Sequence, residues 1–162
     1  MPRIRMTVNG ETKTVEVALH ELLLDVLRRE GYWSVKRVCE TGDCGACAVI
    51  MDGKVIDTCL TLAMQGDERR IETVEGLETD GRMAPIQEAF LVAGAVQCGF
   101  CTPGMILTAK ALLDERPDAT EAEIRDTMTL CRCTGYVKPV EAVIAEQKRR
   151  RRESSPPTGV RR

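Results

Sequence analysis

Eight cysteines against a single histidine in a chain of 162 residues constrain this sequence more than any other feature. They fall into two sets. Cys39, Cys44, Cys47 and Cys59 follow the spacing C-x4-C-x2-C-x11-C, while Cys98, Cys101, Cys131 and Cys133 set a C-x2-C and a C-x-C on either side of 29 intervening residues. The first spacing is that of plant-type 2Fe–2S proteins, where four thiolates surround two irons and three of them come from one short loop. Gly42 and Gly45 suit such a loop, because backbone without a Cβ can fold round a cluster and aim N–H groups at its sulfurs. Asp52-Gly53 then turns the chain back to deliver Cys59. The second set leaves its metal open, since C-x2-C with C-x-C would suit zinc nearly as well. Each pair of this set stands at an expected helix end, and the helix opening at Thr102-Pro103-Gly104 offers its dipole and free N–H groups to the thiolates of Cys98 and Cys101.

Met1-Pro2-Arg3-Ile4-Arg5-Met6 has no apolar signal segment, and no stretch approaches the roughly 18 apolar residues that span a bilayer. A cytoplasmic location is therefore expected. In that reducing compartment persistent disulfides are rare, so eight cysteines point to metal or redox chemistry. Two structural zinc sites are the bland alternative. A thioredoxin-like dithiol at Cys44–Cys47 or Cys98–Cys101 would want a βαβ pattern, which is missing. Residues 1–147 carry 16 basic and 24 acidic side chains, and an acidic body argues against nucleic acid as the main partner.

The two halves of the chain differ in pattern. Ile4, Met6 and Val8 alternate with polar residues, Asn9-Gly10 follows, and Val15 and Val17 alternate again, which predicts a hairpin with a tight primed turn. Glu21 to Arg29 reads as a helix stopped by Gly31. Ala48–Met51 and Lys54–Asp57 flank Asp52-Gly53 as a second hairpin, and residues 70–74 read as a further strand. This half is a small mixed sheet. Beyond the acidic, glycine-containing connector the signals become helical: Ile86, Ala89, Phe90 and Ala93 form one stripe, Met105 to Leu113 another, Thr120 with Glu123 a capping box, and Val140 to Lys148 a fourth helix.

The segments Val8-Asn9-Gly10, Leu23-Leu24-Asp25-Val26-Leu27-Arg28, Cys44-Gly45-Ala46-Cys47, Pro85-Ile86-Gln87-Glu88-Ala89-Phe90, Gln97 to Met105 and Leu130 to Tyr136 together span about residues 3 to 147. In them the sequence resembles the small iron–sulfur subunits of the xanthine oxidase family of molybdenum hydroxylases. The resemblance implies an α+β chain with an N-terminal β-grasp, plant-type ferredoxin-like domain, over 1–76, and a four-helix 2Fe–2S-binding domain, over 84–147; the loss of strand signals sets a connector over 77–83 between them, and the basic run from Lys148 reads as a disordered tail over 148–162. It implies that all eight cysteines are metal ligands holding two 2Fe–2S clusters. It also implies electron flow from a molybdenum–pterin cofactor in a large partner subunit, through the helical-domain cluster and then the ferredoxin-like one, towards FAD in a medium subunit or another acceptor. A heterotrimer or its dimer is the implied assembly. The chain would be part of an oxidoreductase and not catalytic alone. The resemblance places Gln97 in contact with the pterin and Cys133 on the pterin side.

Several positions depart from the family pattern. Val38 and Ser34 stand where glycines are usual, Ala48 where Thr is frequent, and Met128-Thr129 where Gly-Asn is usual before Leu130. No ligand is lost. Trp33 is expected to pack, Phe100 to shield a cluster or fill core, His20 to be an ordinary helix-start residue, and Asn9-Gly10 to serve only as a turn.

Overall fold

The computed structural model describes residues 1–154. In β1 (Arg3–Val8) Ile4, Met6 and Val8 are buried while Arg3 and Arg5 face water, the alternation a half-buried strand requires. β2 (Glu11–Glu16) pairs antiparallel with it from Arg3↔Glu16 to Val8↔Glu11. Asn9 and Gly10 take φ of 52° and 85°, the primed turn that matches strand twist. Asn9 does more than turn the chain, contrary to expectation: its Oδ1 accepts from the Thr73 N–H and its Nδ2 donates to Thr73 Oγ1, both at 2.8 Å.

α1 (Leu23–Arg29) crosses this hairpin and buries Leu23, Leu24, Val26 and Leu27. β3 (Ala48–Met51) and β4 (Lys54–Asp57) form the second hairpin, and β5 (Arg70–Glu72) completes a sheet of order β2–β1–β5–β3–β4. Only β1 and β5 run parallel among the adjacent pairs. β5 stops short of the expected residue 74 because Thr73 is held by Asn9 and Val74–Leu77 forms a 3-10 turn. One core gathers Ile4, Met6, Val8, Leu24, Leu27, Val49 and Ile71 between sheet and helix.

The helical half contains α2 (Pro85–Val92), α3 (Thr102–Glu115), α4 (Glu121–Asp126) and α5 (Val137–Ser154). The Thr120–Glu123 capping box is formed, with the Thr120 N–H donating to Glu123 Oε2 at 2.7 Å and the Glu123 N–H to Thr120 Oγ1 at 3.3 Å. Phe90, Met105, Leu107, Leu113, Ile124 and Val143 fill a second core, which Ile50 from β3 and Leu77 also enter. The expected α+β architecture is thus present, with α3 laid against β3. Lys110 of α3 ties this contact, pairing with Glu72 at 3.2 Å and Asp114 at 2.9 Å.

The expectation of a disordered tail from Lys148 is corrected over its first part, because α5 runs on to Ser154. The helix persists through a ladder of ion pairs: Arg149 and Arg150 clasp the buried Glu146, Arg149 also reaches Glu153, and Arg150 reaches Asp114 on α3. Residues 155–162 of that expected tail lie outside the described residues. No helix among the described residues is long and apolar enough to cross a membrane.

Candidate iron–sulfur sites

The loop between α1 and β3 carries Cys39, Cys44 and Cys47, and the 3-10 turn Thr58–Leu60 after β4 carries Cys59. The β3–β4 hairpin therefore does what Asp52-Gly53 suggests, returning the chain beside its starting point. Thr58, fully buried, fixes the return by donating from Oγ1 to the Cys47 carbonyl at 2.8 Å. The thiols meet two by two, Cys39 with Cys44 and Cys47 with Cys59. At Gly45 the φ of +69° and the closeness of Thr129, 3.2 Å from where a Cβ would lie, leave room for glycine alone. Glu40, immediately after Cys39, holds φ of 58° without being glycine, a strained turn that sequence gave no sign of.

The second set is built from the turn before α3 and the loop before α5. Cys101 is the N-cap of α3, as the helix-end argument requires. Cys98 Sγ and Cys133 Sγ lie 3.5 Å apart, and Cys101 faces Cys131. Cys98 and Cys133 are exposed while Cys101 is buried. Three residues without an expected role shape this loop. The Tyr136 hydroxyl accepts the Cys131 N–H at 2.8 Å, and Thr134 donates its hydroxyl at 3.3 Å and its N–H at 3.5 Å to Cys131 Sγ, joined by the Cys133 N–H at 3.4 Å. The third is Leu130, whose N–H donates to the carbonyl of Cys44 at 2.9 Å and so stitches one cysteine loop to the other. All three lie in the Leu130 to Tyr136 segment that carries the resemblance, which marks the segment but not these contacts.

Each set holds at least one thiol ready to ionise. Hydrogen bonds from Thr41 bring Cys39 down to about 6. Burial pushes Cys131 up, but Thr134 and the Cys133 N–H outweigh it and hold it at about 7. The Phe100 N–H lowers Cys98. Burial raises Cys44, takes Cys47 to about 11 and Cys101 to about 12, and the contact with Cys98 raises Cys133. Thiolate is the ligand form, so a cation entering either set meets partly ionised sulfur and displaces protons from the rest.

Gln97 lies exposed next to Cys98. His20 is exposed just ahead of α1, and Ser34 is turned to Glu75, which accepts from its N–H at 2.9 Å and from its hydroxyl. Trp33 is 63% exposed with its ring 5.3 Å from the Arg28 guanidinium, so the expected packing role is corrected to a surface stack. Phe100 is 49% exposed, which removes core filling as its role. Among the described residues no three His, Cys, Asp or Glu side chains converge as one metal ion would require.

Residues 6–77 match the 2Fe-2S iron-sulfur cluster binding domain family, and residues 73–144 match the [2Fe-2S] binding domain family. The chain is 52% identical over 143 residues to the nicotinate dehydrogenase small FeS subunit of Eubacterium barkeri, covering 86% of this chain and 91% of that one. It is 42% identical over 150 residues to the xanthine dehydrogenase iron-sulfur-binding subunit of Escherichia coli O157:H7, covering 90% and 94%. Among solved structures, a chain of quinoline 2-oxidoreductase from Pseudomonas putida 86 superimposes with a TM-score of 0.86 at 40% identity, covering 92% of this chain and 96% of that one. The two matched domains, the fold that carries them and the relatives that share both halves agree: this chain belongs to the small iron–sulfur subunits of the xanthine oxidase family of molybdenum hydroxylases.

Proposed function

We propose that this chain holds two 2Fe–2S centres and relays electrons from a molybdenum–pterin site in a large partner subunit towards FAD in a medium subunit or another acceptor. The observation that carries this reading is the pairing of all eight thiols: Cys39 with Cys44 and Cys47 with Cys59 in one site, Cys98 with Cys133 and Cys101 with Cys131 in the other. A binuclear centre needs two thiolates on each of two irons, which is this arrangement twice. When bound, each centre takes up and gives back one electron. The protein's part is to hold the thiolates, turn N–H and hydroxyl donors onto their sulfurs and keep the two loops in register.

The direction of the relay is supported by exposure. Cys98 and Cys133 reach the surface with Gln97 beside them, and Phe100 and Leu130 of the same loops and Val137 at the start of α5 are exposed apolar side chains. Apolar surface around a redox ligand suits a partner subunit. Gln97 is then the residue nearest to an incoming pterin on the Cys98 side, and Cys133 the ligand facing it. Beside the other site, Leu60 and Leu62 are exposed after Cys59. A heterotrimer or its dimer provides partner subunits for both exposed apolar regions. A cytoplasmic location fits eight thiols that must stay reduced until iron arrives.

Iron and acid-labile sulfide on anaerobically purified protein, with low-temperature EPR after dithionite, test the reading. The expected result is two 2Fe–2S signals with equal iron and sulfide. Zinc without sulfide overturns it.

A further inference from the structure

Between α1 and Cys39 the chain runs as a strap that touches both cysteine regions. Its anchors are numerous for so short a segment. Val35 is buried and its carbonyl accepts from Arg28 Nη1 at 2.7 Å, Ser34 is bound to Glu75 through both N–H and hydroxyl, and the Lys36 N–H donates to the carbonyl of Ala46 at 3.1 Å. Ala46 stands between Cys44 and Cys47. The Lys36 side chain reaches the other way: its Nζ donates to the Trp33 carbonyl at 2.7 Å and sits 5.7 Å from the centre of the Phe100 ring. Phe100 lies between Cys98 and Cys101. One residue thus has its main chain on the first cysteine loop and its charge over the second.

The neighbouring cation is spent differently. Arg37 pairs with Asp25 and Glu40, so its charge is compensated by carboxylates. Among the described residues the Lys36 ammonium has a carbonyl and an aromatic face as partners and no carboxylate. Its field is therefore left for whatever negative charge develops nearby. Reducing a 2Fe–2S centre adds one electron to a group already bound by four thiolates, and net charge around the centre is one of the terms that set its potential. A half-buried cation feels less solvent screening than a fully exposed one.

We infer that Lys36 is a positioning residue for the relay, which favours the reduced form of the centre at Cys98, Cys101, Cys131 and Cys133 by holding its ammonium against Phe100. The inference rests on the two-centre reading. It eases reduction of the helical-domain centre, the step in which that centre takes an electron from the substrate-oxidising partner.

Redox-poised EPR on the full chain tests it, comparing wild type with Lys36→Gln and Lys36→Arg at matched iron and sulfide content. At the potential that half-reduces the wild-type helical-domain centre, Lys36→Gln should lower the reduced-to-oxidised ratio several-fold, a tenfold change being about 59 mV for a one-electron couple. Lys36→Arg should restore it, and the ferredoxin-like signal should move less. An unmoved ratio in Lys36→Gln overturns the inference, as does an equal shift of both signals. A Lys36→Arg ratio as low as that of Lys36→Gln does so too, since packing rather than charge would then be at work. Should Lys36→Gln lose iron, Lys36→Met, which keeps the apolar stem, is scored in the same way. Wild-type protein without sulfide would instead remove the two-centre reading itself, before any variant is compared.

Discussion

The cysteines are distinguished from one another by what surrounds each sulfur. Cys131 receives three donors, from Thr134 and Cys133, and Cys101 receives burial, which is why one is held near 7 and the other pushed up to about 12 although both belong to one set. Cys133 is exposed and its thiol lies against Cys98 of the same set, so its loss should stay local. Cys133→Ser is expected to abolish or reshape the helical-domain EPR signal while the ferredoxin-like signal survives; equal loss of both would contradict two separate sites. The cysteine positions were legible from spacing alone. Tyr136, Thr134 and Lys36 were not: Thr134 and Tyr136 reach Cys131 only in the folded shape of their own loop, and Lys36 depends on two loops that meet after folding.

At the scale of elements, α5 shows how a charged segment becomes structure. Lys148 to Arg152 reads in sequence as a solvated basic run, yet Arg149 and Arg150 close on Glu146, whose carboxylate is buried. Burial pushes that carboxyl up, but the two guanidinium groups outweigh it and hold it below its ordinary value of 4.5. A depressed carboxylate contributes stability above its unfolded value, and the contribution disappears as pH falls from about 4.5 through the folded value. Glu146→Gln should therefore cost about 1.5–3 kcal/mol at neutral pH, the usual worth of hydrogen bonds to a charged group, and should flatten the melting temperature against pH below that point. Thermal unfolding followed by circular dichroism across pH 3 to 7 checks both. The strands and helices themselves were readable, since alternation in β1 and the apolar stripe of α3 follow from their periods.

Across the whole molecule, the two halves meet through close backbone approach as well as through side chains such as Lys110 and Ile50. A Cβ on Gly104 would lie 2.5 Å from the Gly45 carbonyl oxygen and 2.8 Å from Thr129 Oγ1, and the Leu130 N–H bonds the Cys44 carbonyl close by. The α3 N-terminus and both cysteine loops thus share one tight contact. Gly104→Ala is expected to cost about 1–3 kcal/mol by overpacking and to pry that contact open. Faster amide exchange at Leu130 together with a lower melting temperature would report it, and an unchanged rate at Leu130 would count against a rigid junction. Lys110, bridging Glu72 and Asp114, secures α3 farther along its length and should limit the damage.

The sequence by itself determined the two thiol sets, the hairpins at Asn9-Gly10 and Asp52-Gly53, and the change from sheet to helix near residue 77, because spacing, turn chemistry and hydrophobic period are local properties. Tertiary structure alone decided how the thiols pair, that Asn9 locks Thr73, that Trp33 lies outside the core and that Lys36 bridges the two loops. Each of these joins residues brought near only when α3 settles against β3 and the strap settles between the cysteine loops, and no short-range pattern encodes such a meeting.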